Sequence, residues 1–278
     1  MKKLVLVASI LALSTSAAFA QVVPTAPTTS FVAPGVQLAH IDQIGSSNLT
    51  SIDQTGGING IVDIFQDGDG NEAEIRGQSD NGVNTPFSIA ANIVDIDQVG
   101  DNARARTRQS NTTTGDTNTI SIEQHSLGGA TTSFGGFALN VGVFQDIGSD
   151  NQSSVIQGAA GTPVSGISAS NRQEGESNRS VIAQNAFPSA GPLTSGIVLQ
   201  VGDFHESNLV QDGSDHLANI SQDGNGNFSD VTQSGESQEL QLVQNGSGNL
   251  ATVNQSITNG NFSDIDQVGA NNVATVNQ

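Results

Sequence analysis

The stretch QVGDFHESNLV QDGSDHLANIS QDGNGNFSDVT QSGESQELQLV QNGSGNLATVN Q, residues 200–255, decides the fold. Gln returns every 11 residues, and Gly stands two places after each of the first five. Between successive Gln, alternate positions carry a polar residue, a small residue and an aliphatic: Asn227, Ser229 and Val231 before Gln233, then Asn249, Ala251 and Val253 before Gln255. A period of two over seven residues is a β-strand with one face turned inward. The four remaining residues, with their Gly, suit a tight turn that needs a positive φ. A helix is excluded, because the alternation is not 3.6 and Gly recurs too often.

The same step runs outward through the chain. Gln recurs at 43, 54, 66, 78, 98, 109, 124, 145, 157, 173, 184 and 200, and after 255 at 267 and 278. Of the eighteen intervals nine are 11 residues and four are 12; five longer ones, of 15 to 21, read as insertions. The full pattern is kept by Gln43, Gly45, Asn48 and Gln54, by Gln173, Gly175, Asn178 and Gln184, and by Gln267, Gly269, Asn272 and Gln278. An 11-residue unit cannot bury an inward face alone, so it needs a strand across the core and copies above and below. Two units per coil place strand n on strand n + 2. The expected fold is all-β: a two-sheet β-solenoid over residues 37–278, with nineteen strand units in about nine to ten coils. At ~4.8 Å per coil its length is ~45 Å.

Composition agrees with a core built from amides. Asn and Gln number 26 and 24, whereas charged residues make up 13% of the chain, about half the usual share. A buried amide without partners costs about 1–3 kcal/mol. The inward Gln and Asn are therefore expected to bond to their equivalents one coil away, as ladders along the axis. Such ladders are open at both ends, and the repeat is expected to end at Gln278 without a cap.

Residues 1–20 read as a secretory signal peptide: Lys2 and Lys3, an apolar run from Leu4 to Leu13, and a small-residue site ending Ala18-Phe19-Ala20. Cleavage would leave six Arg, no Lys and 27 acids, a net charge of −21. That balance disfavours nucleic-acid binding, which needs basic clusters. The absence of Cys excludes disulfides and thiolate-ligated metal. Residues 21–36 form a Thr- and Pro-rich leader. All seven Pro fall in this leader or inside long intervals, as strand pairing requires.

The unit Gln-x-Gly-x-x-Asn-x-Ala-x-x-x-Gln, present at 244–255 and 267–278, resembles the curlin repeat of the secreted curli subunits. The resemblance covers roughly 37–278. It implies a bacterial extracellular amyloid fibre grown by end-to-end stacking of copies, a part in biofilm matrix and adhesion, and outer-membrane secretion and nucleation partners. By the same resemblance, the assembly residues are Gln43, Asn48, Gln54, Gln173, Asn178, Gln184, Gln222, Asn227, Gln233, Gln244, Asn249, Gln255, Gln267, Asn272 and Gln278. The chain departs from the pattern in its number of units and its five insertions. Gln78 comes one place late, and His205, His216 and Gln238 stand in the Asn slot. Major subunit, nucleator and larger matrix protein all stay open.

Other chemistry is thin. Asp67 to Asn71 resembles a calcium loop, but an EF-hand needs Gly at the sixth place and Glu at the twelfth, where this chain has Glu72 and Gln78. His40, His125, His205 and His216 are dispersed, and no nucleophile motif occurs. We expect no catalytic residues, no metal and no cofactor. Arg104, Arg106 and Arg108 point outward on one strand. The n + 2 rule puts them beside Glu72, Glu74 and Arg76, giving ion pairs Glu72–Arg104 and Glu74–Arg106. The alternatives are a monomeric solenoid adhesin and, further off, a polysaccharide-acting enzyme.

Overall fold

The computed structural model describes residues 18–20, 38–53, 60–80, 92–111, 117–126, 139–158, 166–186, 194–256 and 259–278. It is a β-solenoid with two parallel sheets. Sheet I holds β2 (Leu38–Ile44), β4 (Ile61–Asp67), β6 (Ile93–Val99), β8 (Thr119–His125), β10 (Gln152–Gln157), β12 (Arg179–Ala186), β14 (Glu206–Ser214), β16 (Phe228–Glu236), β18 (Leu250–Gln255) and β20 (Val273–Asn277). Sheet II holds β3 (Leu49–Ile52), β5 (Glu72–Asp80), β7 (Ala103–Asn111), β9 (Leu139–Ser149), β11 (Ile167–Glu176), β13 (Thr194–Asp203), β15 (Leu217–Asn225), β17 (Glu239–Ser247) and β19 (Phe262–Ala270). A short strand β1 (Ala18–Ala20) lies antiparallel on β3.

Every strand from β2 onward pairs in parallel with the strand two further on. An even strand and the odd strand after it make one coil, so β2 to β20 form nine coils and a half. The register keeps equivalent residues opposite one another, as in Gln211↔Gln233 and Gln222↔Gln244. A shift between Arg76 and Ser79, on β5 against β7, absorbs the late Gln78.

The core follows the alternation. Inward aliphatics such as Ile64, Ile96, Ile182, Leu209, Ile220 and Leu242 are fully buried, and one apolar cluster runs from Val62 to Ile265. Each contributes about 1.5–3 kcal/mol on burial. A few slots break the apolar rule. Ser153, Ser180, Ser207 and Ser229 stack in sheet I, and Asn171 replaces an aliphatic opposite them. Asn171 donates its amide to Ser153 Oγ.

The turns explain the glycines. Gly224 has φ +113°, and a Cβ there would meet the carbonyl oxygen of Gly246, in the coil above, at 2.0 Å. A second left-handed residue follows two places later: Ser177, Phe204, Asp215, Ser237 and Asn271 all hold φ between 54° and 61°. The sequence reading identified the first of these positions and missed the second. Asn, Asp and Gly tolerate that conformation, but Phe204 is a bulky side chain held in it.

The seven Pro, the five insertions and the leader lie outside the described residues. Their attachment points form an ordered pattern all the same. The gaps at 81–91 and 112–116 follow sheet II strands, and those at 127–138, 159–165 and 187–193 follow sheet I strands. Long connections thus leave one edge of the solenoid in the early coils and the opposite edge in the middle coils.

Candidate self-assembly site

Two glutamine ladders run along the core. In sheet I, Nε2 of each Gln donates to Oε1 of the Gln one coil further on, through Gln43, Gln66, Gln98, Gln124, Gln157, Gln184, Gln211, Gln233, Gln255 and Gln278. From Gln66 to Gln255 the bonds are 2.7–3.0 Å. The sheet II ladder links Gln109, Gln145, Gln173, Gln200, Gln222, Gln244 and Gln267 at 2.8–3.0 Å. All of these bonds point the same way along the axis.

The second amide hydrogen is also used. Gln211, Gln233 and Gln255 donate it to the carbonyls of Ser195, Leu217 and Glu239, at the start of the preceding strand in the opposite sheet. Each amide therefore links coil to coil and sheet to sheet. The ladder includes Gln66, Gln98, Gln109, Gln124, Gln145, Gln157, Gln200 and Gln211, which the resemblance did not single out. The bare Gln spacing was the signal for them.

The Asn residues behave differently from the expected side-chain ladder. In the column Asn118, Asn151, Asn178, His205, Asn227, Asn249 and Asn272, the side-chain acceptor takes the backbone N–H of the next member, at 2.9–3.2 Å. The Asn178 amide donates to the carbonyls of Glu174, in its own turn, and Gly202, one coil on. Asn227 and Asn249 do the same with Asp223 and Gly246, and with Asn245 and Gly269. These residues staple turn backbone, because the corner leaves carbonyls and N–H groups that no strand pairs. A side-chain to side-chain bond is added at the last coil, from Asn272 to Asn249. On the opposite edge Asn48 and Asn71 make the same staple, handing on to Ala103 N–H.

His205 and His216 fill the slot with the same bonding. His205 Nε2 donates to the Val201 carbonyl, and its Nδ1 accepts Asn227 N–H at 3.2 Å. His216 Nε2 donates to the Asp212 carbonyl, and its Nδ1 accepts Gln238 N–H at 3.4 Å. Both rings are fully buried. Burial pushes both below the ordinary histidine range; for His205 the Val201 bond, Asp223 and Asp203 oppose it, and for His216 the Asp212 bond, Asp215 and Asp212. Nδ1 can serve as acceptor only while the ring is neutral.

The assembly residues inferred by resemblance lie as follows. Gln43, Asn48, Gln173, Asn178, Gln184, Gln222, Asn227, Gln233, Gln244, Asn249, Gln255 and Gln267 are buried. Asn272 and Gln278 are partly exposed on the last coil, and Gln54 lies outside the described residues. At the first rung Gln43 Oε1 is buried and has no hydrogen-bond partner among the described residues. At the other end β19 and β20 pair on one side only among the described residues. On the outer face Arg104 pairs with Glu72 at 3.0 Å and Arg106 with Glu74 at 3.1 Å. Burial holds the Glu72 carboxyl above the ordinary range despite the Arg106 charge. The Glu72–Arg104 contact therefore fixes register more than it adds stability. Among the described residues no group of three or more His, Asp or Glu is placed to hold a metal ion.

Comparison with family models finds no match, and comparisons with curated proteins and with solved structures find none either.

Proposed function

We propose that this chain is a secreted structural subunit that adds to copies of itself end to end, forming a curli-like extracellular amyloid fibre of a bacterium. The observation that carries this reading is the pair of unidirectional glutamine ladders. Every interior rung gains a donor on one side and an acceptor on the other, while the outermost Gln43 has a buried carbonyl with no partner among the described residues. A second copy supplies the missing donor, and the backbone edges of β19 and β20, paired on one side only among the described residues, offer a template for its first strands. In this reading the work done is templated strand addition, with no catalytic step, metal or cofactor. The other partners are those of export across the outer membrane and of nucleation, and the product serves matrix cohesion and adhesion.

Diluting denatured chain, lacking residues 1–20, into buffer tests the proposal. We expect a rise in thioflavin T fluorescence and unbranched fibres in electron micrographs. A persistent soluble monomer favours the alternative of a solenoid adhesin, whose inserted segments would do the binding.

A further inference from the structure

Coil 3 consists of β6 and β7, and its two broad faces carry opposite charge. Outward on β6 are Asp95 and Asp97; outward on β7 are Arg104, Arg106 and Arg108. The register extends both patches. On sheet I, Asp63 stacks on Asp95 and Asp97 on Glu123, with Asp67 at the end of β4. The outward positions of β4, β6 and β8 thus hold five carboxylates and no Lys or Arg.

These carboxylates repel one another. Desolvation, followed by the charges of Asp63, Asp97 and Glu123, holds Asp95 above the ordinary range. Desolvation likewise raises Asp97, with Glu123 and Asp67 adding to it and His125 opposing it. His40 and His125 contact only the margins of the patch, at Asp63 and Glu123. One Asp97 oxygen is buried and has no hydrogen-bond partner among the described residues.

The opposite face has the complementary form. Arg106 and Arg108 are exposed, and Arg108 lies over the Phe144 ring, 5.6 Å from its centre. On the coil before, Glu72 and Glu74 pair with Arg104 and Arg106, and the coil beyond brings Asn140 and Gly142 beside them and no acid, so Arg outnumbers Glu on this face and Arg106 and Arg108 are its exposed charges. Three Arg at alternate positions of one strand have the same ~6.8 Å spacing as Asp95 and Asp97.

We propose that the sheet I face of coils 2–4 docks onto the sheet II face of coils 2–4 in a second copy of this chain, back to front with axes parallel. Both patches sit at the same height on the solenoid, so simple translation brings Arg104, Arg106 and Arg108 against Asp95 and Asp97. The contact is heterologous and does not close, so it repeats into ribbons. It is distinct from end-to-end stacking, which only multiplies it. Three strands make a small patch that is weak as a single pair and adds up between stacked copies.

Charge reversal tests this on the freshly prepared full chain, by static light scattering, with bundle width in electron micrographs as a second readout. D95R/D97R and R106D/R108D should each weaken lateral association by about tenfold, and the chain carrying all four changes should regain it. The first variant lowers the net negative charge, so relief of overall repulsion predicts the opposite result. Association should be strong at ~0.01 M salt and lost at ~1 M, where screening shortens from ~30 Å to ~3 Å. The neutral variant D95N/D97N, with its circular dichroism, separates lost docking from lost folding. The proposal is overturned if neither reversal changes association, or if the fourfold variant stays as weak as either pair. Single unbundled fibres from the reversed chains would support lateral docking, whereas absence of fibres in the wild type would count against end-to-end assembly alone.

Discussion

The coils after Gln200 and those before it are built from the same strands and differ in their corners. From Gln200 to Gln255 the step is 11 residues without exception, whereas before it the steps range up to 21. Yet the sheet I glutamine ladder crosses from one region to the other without a missing bond. The turn staples do so on one edge only, where the column runs from Asn151 through Asn178 and His205 to Asn227. On the other edge the column that starts at Asn48 passes to Asn71 and Ala103, and a separate one begins at Thr194 and His216. Strands carry continuity along the axis and corners absorb variation, because an insertion at a corner leaves the strand register untouched.

That division can be broken most directly in the ladders. Gln98→Ala in the irregular region and Gln211→Ala in the regular one should each cost about 3–5 kcal/mol, from a cavity and two stranded amide groups. Native-state hydrogen exchange of the flanking strands measures both. A much smaller cost at Gln98 would mean that continuity is confined to the regular coils.

The turns give the next largest effect. Gly224→Ala should cost about 2–4 kcal/mol, because a Cβ meets the Gly246 carbonyl and the backbone is left-handed. Gly226, two residues on, has φ +64° and open space around it, so Gly226→Ala should cost only about 1 kcal/mol. Thermal denaturation of the two variants separates close approach from backbone preference.

Acid should separate the two regions further. The folded rings of His205 and His216 are depressed, so the unfolded chain takes up protons first, near pH ~6.5. Their stabilisation is complete above that pH and is lost as pH falls below it, by at most about 1.4 kcal/mol per pH unit for each ring. Asp95 and Asp97 are raised, so the folded chain takes up their protons first, and coils 2–4 gain stability as pH falls through those raised values. Exchange protection between about pH 7.5 and about pH 5 should fall in β13 to β15 and hold or rise in β4 to β8. H205N/H216N should abolish the fall. The smallest effect is at the left-handed Phe204, 60% exposed, where Phe204→Asn should add about 1 kcal/mol.

Much of this was legible in the sequence, because period two within period eleven leaves few arrangements. It placed the strands, the n + 2 stacking and the Glu72–Arg104 and Glu74–Arg106 neighbours. The role of Asn was not legible, since its position at a corner lets backbone groups compete for its amide. Gln, one methylene longer and mid-face, has only its equivalents and the far strand in reach. The second left-handed residue was hidden by its variety, Ser177 and Asp215 being as acceptable as Gly226. The edge from which each insertion leaves needed the strand order itself.

The most direct test of the central claim is seeded elongation, with monomer added to preformed fibre ends and growth followed by thioflavin T. Gln267→Ala with Gln278→Ala removes the last Gln of each ladder, and Asp230→Ala alters an outward side chain of β16. We predict elongation slowed about tenfold or more by the first change and left unchanged by the second. Equal rates for the two would contradict growth through the glutamine ladders.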